Sequence, residues 1–223
     1  KNFENDIESY LLSNGYVKGN QTTYDKARAI DMPVLISFIQ ATQPKVWQRY
    51  QNVYGDKAEK QLYTIFQQNV EQSGLIYVLR NGVKDRGMDL KFFYSKPASN
   101  KNMELVERYE KNILTCTRQF AYSTQNHNTI DVVLSLNGIP IVAMELKNQL
   151  TGQSVANAKR QFMYDRDEKE LCFRFNTRFL VYFCVDLYEV AMTTELKGNK
   201  TFFLPFNQGS NGAGNVGDGG NPK

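Results

Sequence analysis

Apolar residues recur at helical spacing in three segments near the start of the chain. This spacing predicts amphipathic helices over residues 3–12, 32–43 and 56–74. Pro44 is expected to end the second helix, because proline cannot continue one. Asp56 is expected to cap the third helix, with Glu59 completing a capping box. Each helix therefore has one face that can pack against a core.

After residue 74, the spacing of the apolar residues changes from that of a helix to that of a β-strand. Two strand-like runs, 75–81 and 88–94, flank a turn-rich segment and predict an antiparallel pair. The remaining elements are a helix over 103–111, a strand over 113–122, a helix from Ser154 to about Asp167, and strands over 178–186, 188–196 and 201–206. The run RFLVYFCVD at 178–186 is too apolar for anything but a central strand. One α/β domain is predicted.

Residues 129–148, TIDVVLSLNGIPIVAMELKN, form two apolar runs around Asn137-Gly138, a pattern typical of a β-hairpin. A two-residue turn would pair Asp131 with Met144 and leave Asp131 and Glu145 on opposite faces. A three-residue loop with a bulge at Gly138 would pair Asp131 with Ala143 and bring the two acids to one face. We expect the odd loop or an equivalent bulge, because it gathers the apolar residues on one continuous face.

Asp131, Glu145 and Lys147 are the charged residues of this hairpin. Two carboxylates on neighbouring strands, with a lysine beside them, can bind Mg²⁺ or Mn²⁺ through oxygen atoms. The alternative is that the three charged side chains lie at the edge of a hairpin that is exposed to solvent. Both strands are too apolar on both faces for such a hairpin. Two carboxylates in a partly dry cleft repel each other, which predicts a raised pKa for at least one of them.

Composition excludes several classes of site. With 223 residues and 41% hydrophobic residues, the chain can bury one substantial core, and its net charge of +4 does not by itself indicate nucleic-acid binding. The single histidine, His127, excludes zinc sites that need several histidines, and it is expected in a loop. Three widely spaced cysteines indicate reduced thiols in a cytosolic protein. No apolar run of transmembrane length occurs, so we expect no membrane contact.

The hairpin resembles the PD-(D/E)xK nuclease core, with Asp131 as the first acid and Glu145-Leu146-Lys147 as the E-x-K sequence. Ile130 stands where the motif has proline. More narrowly, IDVVLSLNGIPIVAMELKNQLTGQ is similar to the N-terminal nuclease domain of the restriction (R) subunit of type I restriction enzymes. FENDIESYLLSNGY, LTCTRQFAYS and MTTELKGNKTFFLPFNQG extend this resemblance over most of the chain.

The resemblance implies a restriction-endonuclease-like core, in which helices flank a mixed β-sheet. It implies a type I site-specific deoxyribonuclease that cuts double-stranded DNA in a bacterial or archaeal cytoplasm, with methyltransferase and specificity subunits as partners. Asp131 and Glu145 would then hold the metal, together with the Leu146 carbonyl, and Lys147 would lie beside the attacking water. A first-helix acid can also approach the metal in such nucleases, and the match falls on Glu4. A solvated helix acid is the alternative for Glu4.

The helix after the hairpin supplies candidate DNA contacts. Lys159, Arg160 and Gln161 lie together on its outer side, where they would meet a phosphate, although a solvated basic face is an equal alternative. The resembled nucleases often have a Gln-x-x-x-Tyr pair here. In this chain Gln161 and Tyr164 stand three apart, and the resemblance adds Tyr164 to the candidate DNA contacts.

Residues 208–223 are rich in glycine and asparagine, which is typical of a linker. They include Gly-Ala-Gly-Asn-Val-Gly, but no helix follows to bind a dinucleotide, and no phosphate-binding loop for ATP occurs in the chain. We expect an endonuclease domain over 1–207 and a linker toward an ATP-dependent translocase absent from this sequence, so that ATP acts only through that motor. The alternative function is a catalytically silent docking domain of the same fold.

Overall fold

A computed structural model describes residues 2–148 and 152–207. Its helices are α1 (Asn2–Ser13), α2 (Met32–Thr42), α3 (Pro44–Tyr54), α4 (Ala58–Ser73), α5 (Leu75–Asn81), α6 (Met103–Glu110) and α7 (Val155–Tyr164). Its strands are β1 (Val17–Lys18), β2 (Val83–Asp85), β3 (Met88–Leu90), β4 (Leu114–Ala121), β5 (Thr129–Leu136), β6 (Ile139–Leu146), β7 (Val181–Val185), β8 (Val190–Thr193) and β9 (Leu204–Pro205). The predicted linker at 208–223 lies outside the described residues.

A seven-stranded mixed sheet in the order β1-β4-β5-β6-β7-β8-β9 forms the centre of the fold. The β1–β4 and β6–β7 pairs are parallel and the other pairs are antiparallel. Strand β7 lies between β6 and β8, which confirms the predicted central strand at 178–186. The α/β class and the mixed sheet flanked by helices are confirmed.

Helices cover both faces of the sheet. Val133 of β5 and Ala143 of β6 pack with Phe162 of α7 on one face. The neighbouring residue Val132 of β5 packs on the other face, in a cluster that includes Ile7 of α1. A third cluster joins α2, α3, α4 and α5 to the β2–β3 pair and to the hairpin turn at Leu136 and Ile139. The hairpin is thus buried on both faces and at its turn.

Helix α5 corrects the predicted strand at 75–81. Its apolar residues Leu75, Val78 and Leu79 are buried at helical spacing, and such a short run does not distinguish a helix from a buried strand. Asn176 stabilises the helix start, because its carbonyl oxygen accepts a hydrogen bond from the Leu75 N–H at 2.7 Å. The predicted antiparallel pair is formed instead by β2 and β3.

Two helix boundaries also differ from the predictions. Pro44 ends α2 but starts α3, a helix that the pattern did not indicate, since proline fits the first helical position. Gln43 makes the break, and its side chain bonds both the N–H and the C=O of Lys91 at 2.8 Å. Asp56 caps no helix; it lies in a 3-10 turn, Gly55–Lys57, that precedes α4.

The other elements lie close to their predicted positions. Ser154 is the N-cap of α7, as predicted, and the helix ends at Tyr164. Strands β8 and β9 are shorter than the predicted runs 188–196 and 201–206. The three cysteines are buried and free, and His127 lies in the exposed loop between β4 and β5, both as predicted. Among the described helices, none is long and apolar enough to cross a membrane.

Candidate active site

The hairpin between β5 and β6 has a two-residue turn, so the predicted three-residue loop is wrong. Asn137 and Gly138 have φ angles of 51° and 82°, and Leu136 pairs with Ile139. These positive angles suit a turn that follows the right-handed twist of the strands. The turn is held in place because the Asn137 side chain accepts a hydrogen bond from the Ile113 N–H at 2.7 Å and donates to the Phe92 carbonyl at 2.9 Å.

A β-bulge inside the hairpin restores the alignment that the odd loop was expected to provide. Ser135 pairs with Pro140, but the next residue, Leu134, pairs with Val142, so Ile141 is an extra residue on β6. Beyond the bulge every β6 residue is shifted by one relative to β5, and its side chains change face. The expected bulge is therefore confirmed, but it lies in the strand and not in the turn.

The shifted register brings Asp131 and Glu145 to one face. Val132 pairs with Met144, so Asp131, one residue further along the ladder, stands opposite Glu145 and not opposite Ala143 as the three-residue loop predicted. The Lys147 ammonium lies 3.9 Å from Asp131 Oδ2 and 3.8 Å from Glu145 Oε2. The predicted convergence of these three charged groups is confirmed.

Asp131 is oriented by two hydrogen bonds. Its Oδ2 accepts from the Leu146 backbone N–H at 2.8 Å, and its Oδ1 accepts from the Gln119 amide at 3.3 Å. Gln119 has a φ of 47°, an unfavourable backbone conformation for a residue other than glycine, and its own Oε1 accepts from the Thr129 hydroxyl at 3.0 Å. Gln119 was not among the predicted site residues.

Glu145 is fully buried, at 0% exposure, and faces a second cation. The Arg166 guanidinium donates to Glu145 Oε1 at 2.5 Å, while Oε2 has no hydrogen-bond partner among the described residues. Burial raises the pKa of Glu145 to about 7; Asp131 also raises it, and Arg166 and Lys147 lower it. The predicted raised pKa is confirmed, but burial contributes more than repulsion between the two acids.

Lys147 follows β6 directly and is 8% exposed. Its backbone N–H donates to the Val185 carbonyl at 2.8 Å, which continues the pairing of β6 with β7 past the end of the strand. This anchoring fixes the lysine backbone, so that its side chain reaches both carboxylates. Its distances to them are within ion-pair range but longer than hydrogen bonds.

The donor atoms fit a magnesium-like cation. Two carboxylates converge, and Glu145 Oε2 is a buried oxygen that has Lys147 within ion-pair range but no hydrogen-bond partner among the described residues. The Leu146 carbonyl, the predicted third ligand, belongs to the peptide that joins Leu146 to Lys147. Over the described ranges no group of three or more His, Cys, Asp or Glu side chains could hold a metal. Magnesium usually needs only one or two protein carboxylates, because water and substrate phosphate complete its coordination.

Glu4 lies near the site but has other partners. Arg118 forms an ion pair with it at 2.9 Å, and the Gln119 amide lies 3.4 Å from both Glu4 oxygens. Gln119 thus connects Glu4 to Asp131. A metal-binding role for Glu4 stays a prediction.

The four predicted DNA contacts lie on α7. Lys159 forms an ion pair with Glu189 at 3.6 Å, Arg160 lies over the Tyr164 ring, and Tyr164 is 64% exposed. Gln161 is half-buried. None of these four side chains is among the recorded polar contacts of Asp131 and Glu145. Their contact with DNA stays a prediction.

Arg166 is the main site residue that the sequence did not predict. It is 6% exposed, yet it stands between Asp165 and Asp167 after a helix, where a solvated arginine is expected. Its contact with Glu145 spans 21 positions of sequence, and no local pattern indicates it.

A comparison with protein families matches residues 35–201 to the N terminus of the type I restriction enzyme R protein. The match covers 167 of 223 residues (201 − 35 + 1), about three quarters of the chain, and includes Asp131, Glu145, Lys147 and Arg166. A comparison with curated proteins found no significant match. The chain therefore belongs to the family of N-terminal nuclease domains of the type I restriction enzyme R subunit.

Proposed function

We propose that this chain is a metal-dependent endonuclease domain that hydrolyses phosphodiester bonds of double-stranded DNA within a type I restriction-modification complex. The observation that supports this function best is the convergence of Asp131, Glu145 and Lys147. A strand bulge is needed to bring the two acids to one face, and one of them is held in a buried position. A solvated hairpin would need neither feature.

Each residue has a distinct part in the proposed reaction. Asp131 and Glu145 would hold Mg²⁺ or Mn²⁺ together with the Leu146 carbonyl. When bound, the cation would supply a more acidic water and would neutralise charge on the phosphate. Lys147, next to both carboxylates, orients the attacking water and stabilises the negative charge that develops on the phosphate oxygens.

The proposed partners follow from the family. The methyltransferase and specificity subunits would deliver the DNA, and ATP would act only through the translocase of the complex. The proposed location is the cytoplasm of a bacterial or archaeal cell. In the docking alternative, the same fold would assemble with these subunits without cutting DNA.

Plasmid nicking at low salt with Mn²⁺ tests the function. We expect Asp131→Asn and Lys147→Ala to lower the nicking rate about 100-fold or more, because each removes an interaction with the reacting groups. Lys84→Ala is a matched control, since Lys84 is an exposed lysine whose ion partner is Asp89. A chelator should abolish nicking by the wild-type chain.

Thermal melts accompany the assay. Asp131→Asn should melt at the wild-type temperature or above it, because the substitution removes a charge that opposes ionised Glu145. Nicking that persists in Asp131→Asn and Lys147→Ala would contradict the proposed mechanism. A wild-type chain that neither nicks DNA nor binds Mn²⁺ would support the docking alternative.

A further inference from the structure

Arg166 is buried just after α7, in contact with Glu145. Besides Glu145, its guanidinium donates to the Thr129 carbonyl at 2.8 Å and to the Tyr122 hydroxyl at 3.3 Å, and it lies over the Tyr122 ring. These contacts come from the end of β4 and the start of β5. The guanidinium is therefore fixed at several points and cannot follow a movement of Glu145.

The contact divides the two oxygens of Glu145 between different roles. Oε1 accepts a hydrogen bond from Arg166, whereas Oε2 lies 3.8 Å from the Lys147 ammonium and has no hydrogen bond within the described part of the chain. In a carboxylate with one oxygen held by a fixed guanidinium, the other oxygen is the freer ligand for a metal ion, because none of its lone pairs is engaged by the arginine. Arg166 thus sets which Glu145 oxygen faces Asp131 and Lys147.

Arg166 also keeps Glu145 and Lys147 apart. The lysine lies at nearly equal distances from both carboxylates and is hydrogen-bonded to neither. Without the guanidinium, Lys147 would be the nearest cation for a buried carboxylate, and Glu145 would rotate onto it. A closed pair of Lys147 and Glu145 would fill the space between the acids where a divalent cation must bind.

We propose that Arg166 is a positioning residue that holds Glu145 open toward the divalent cation. The inference rests on the proposed function of this site. Partners of metal-binding carboxylates change metal affinity by about 10–100-fold when they are removed. The guanidinium also repels a metal ion, but its contact is with Oε1, while Oε2 remains for the metal.

Calorimetric titration of Mn²⁺ into the folded chain tests this proposal without reference to cleavage. Arg166→Met should weaken Mn²⁺ binding about 10–100-fold. Arg166→Lys should bind with intermediate affinity, because an ammonium can still donate to Glu145 Oε1. Arg174→Met is a matched control: Arg174 is exposed, and its Nε donates to the Lys169 carbonyl.

A second variant separates positioning from stability. Arg166→Met is expected to melt at a lower temperature, because it also loses the contacts with Thr129 and Tyr122. Tyr122→Phe removes only the hydroxyl contact and keeps the pair with Glu145. It should therefore melt earlier but bind Mn²⁺ within about twofold of the wild-type affinity.

The outcomes distinguish this inference from the proposed function. If the wild-type chain binds no Mn²⁺, or if Asp131→Asn leaves binding unchanged, both are wrong. If binding depends on Asp131 but Arg166→Met and Arg166→Lys bind like the wild type, only the positioning role is overturned. Tighter binding by Arg166→Met would also overturn it, since repulsion would then outweigh orientation. If Arg166→Met does not fold, Arg166→Lys alone decides.

Discussion

At the scale of single residues, the site contains charged residues that the sequence predicts and hydrogen-bond partners that it does not predict. Asp131, Glu145 and Lys147 stand out because charges interrupt apolar strands. Gln119 contacts Asp131 from 12 positions away, and Arg166 contacts Glu145 from 21 positions away. Nothing in the sequence next to either residue indicates these contacts. The sequence therefore predicted which charged groups converge but not which groups orient them.

The raised pKa of Glu145 predicts that the stability of the folded chain depends on pH. In the folded protein this carboxyl holds its proton up to about pH 7, whereas its ordinary pKa is 4.5. The folded state thus binds more protons between these values, so unfolding free energy falls as pH rises from about 4.5 to about 7 and then levels off. The full effect of the shift is roughly 3 kcal/mol.

Urea unfolding at several pH values measures this slope. Glu145→Gln should flatten it between about pH 4.5 and 7. The variant also changes the contact between this side chain and Arg166, but neither the glutamine nor the arginine titrates in the window, so the comparison uses slopes and not absolute values. Glu110→Gln, at an exposed glutamate of α6, is the control. A Glu145→Gln slope equal to the wild-type slope would show that this carboxyl does not titrate in the window.

At the scale of elements, the hairpin reaches the predicted alignment of its acids by a different route. The sequence indicated that Asp131 and Glu145 reach the same face only if the hairpin contains one extra residue. Either the turn or one of the strands could contain that residue. Contacts from outside the hairpin decide between them, because Asn137 bonds Ile113 and Phe92 and fixes the short turn. The same limit explains α5, whose start depends on distant Asn176.

Gly138 connects this turn to Asp31, the N-cap of α2, and a side chain at Gly138 is predicted to disturb that contact. Its carbonyl accepts a hydrogen bond from the Asp31 N–H at 2.8 Å, and a Cβ at Gly138 would lie 2.3 Å from the Asp31 carbonyl oxygen. Gly138→Ala must therefore move the turn away from α2, in addition to the strain of its φ of 82°. We expect it to lower the unfolding free energy by roughly 3 kcal/mol or more.

Gly87→Ala is the matched control for this substitution. Gly87 has a φ of 72°, but a Cβ there would meet no atom within 4 Å. It should cost only the backbone strain, about 1 kcal/mol. Urea unfolding of both variants measures the difference, and equal losses would mean that the close approach to Asp31 contributes nothing to stability.

At the scale of the whole molecule, the order of helices and strands predicted the α/β sheet fold, because long runs of one period are the strongest pattern in a sequence. The sheet order depends on pairings between distant segments, such as the parallel β1–β4 pair, which joins Val17 to Thr115. No local pattern specifies such a pairing. Arg166, which contacts Glu145, follows α7, the helix that carries the predicted DNA contacts.

The last prediction concerns DNA binding by this chain alone. A net charge of +4 neutralises few phosphates, and Lys159 on α7 already shares its charge with Glu189. We expect weak binding to duplex DNA, with no sequence preference and no effect of ATP, and slow nicking that requires Mg²⁺ or Mn²⁺. For about four phosphate contacts, affinity should fall about 100-fold between about 50 and 200 mM salt.

Fluorescence anisotropy with labelled duplexes of unrelated sequence measures both affinity and salt slope. Arg160 is exposed on α7, so Arg160→Ala should reduce the slope by about one unit if this arginine meets a phosphate. Lys84→Ala, at an exposed lysine of β2, should leave the slope unchanged. Tight binding to one sequence, or binding that ATP strengthens, would show that the chain recognises DNA without its partners. An unchanged slope in Arg160→Ala would instead place the DNA away from the outer side of α7, and nicking would then test the carboxylate site separately.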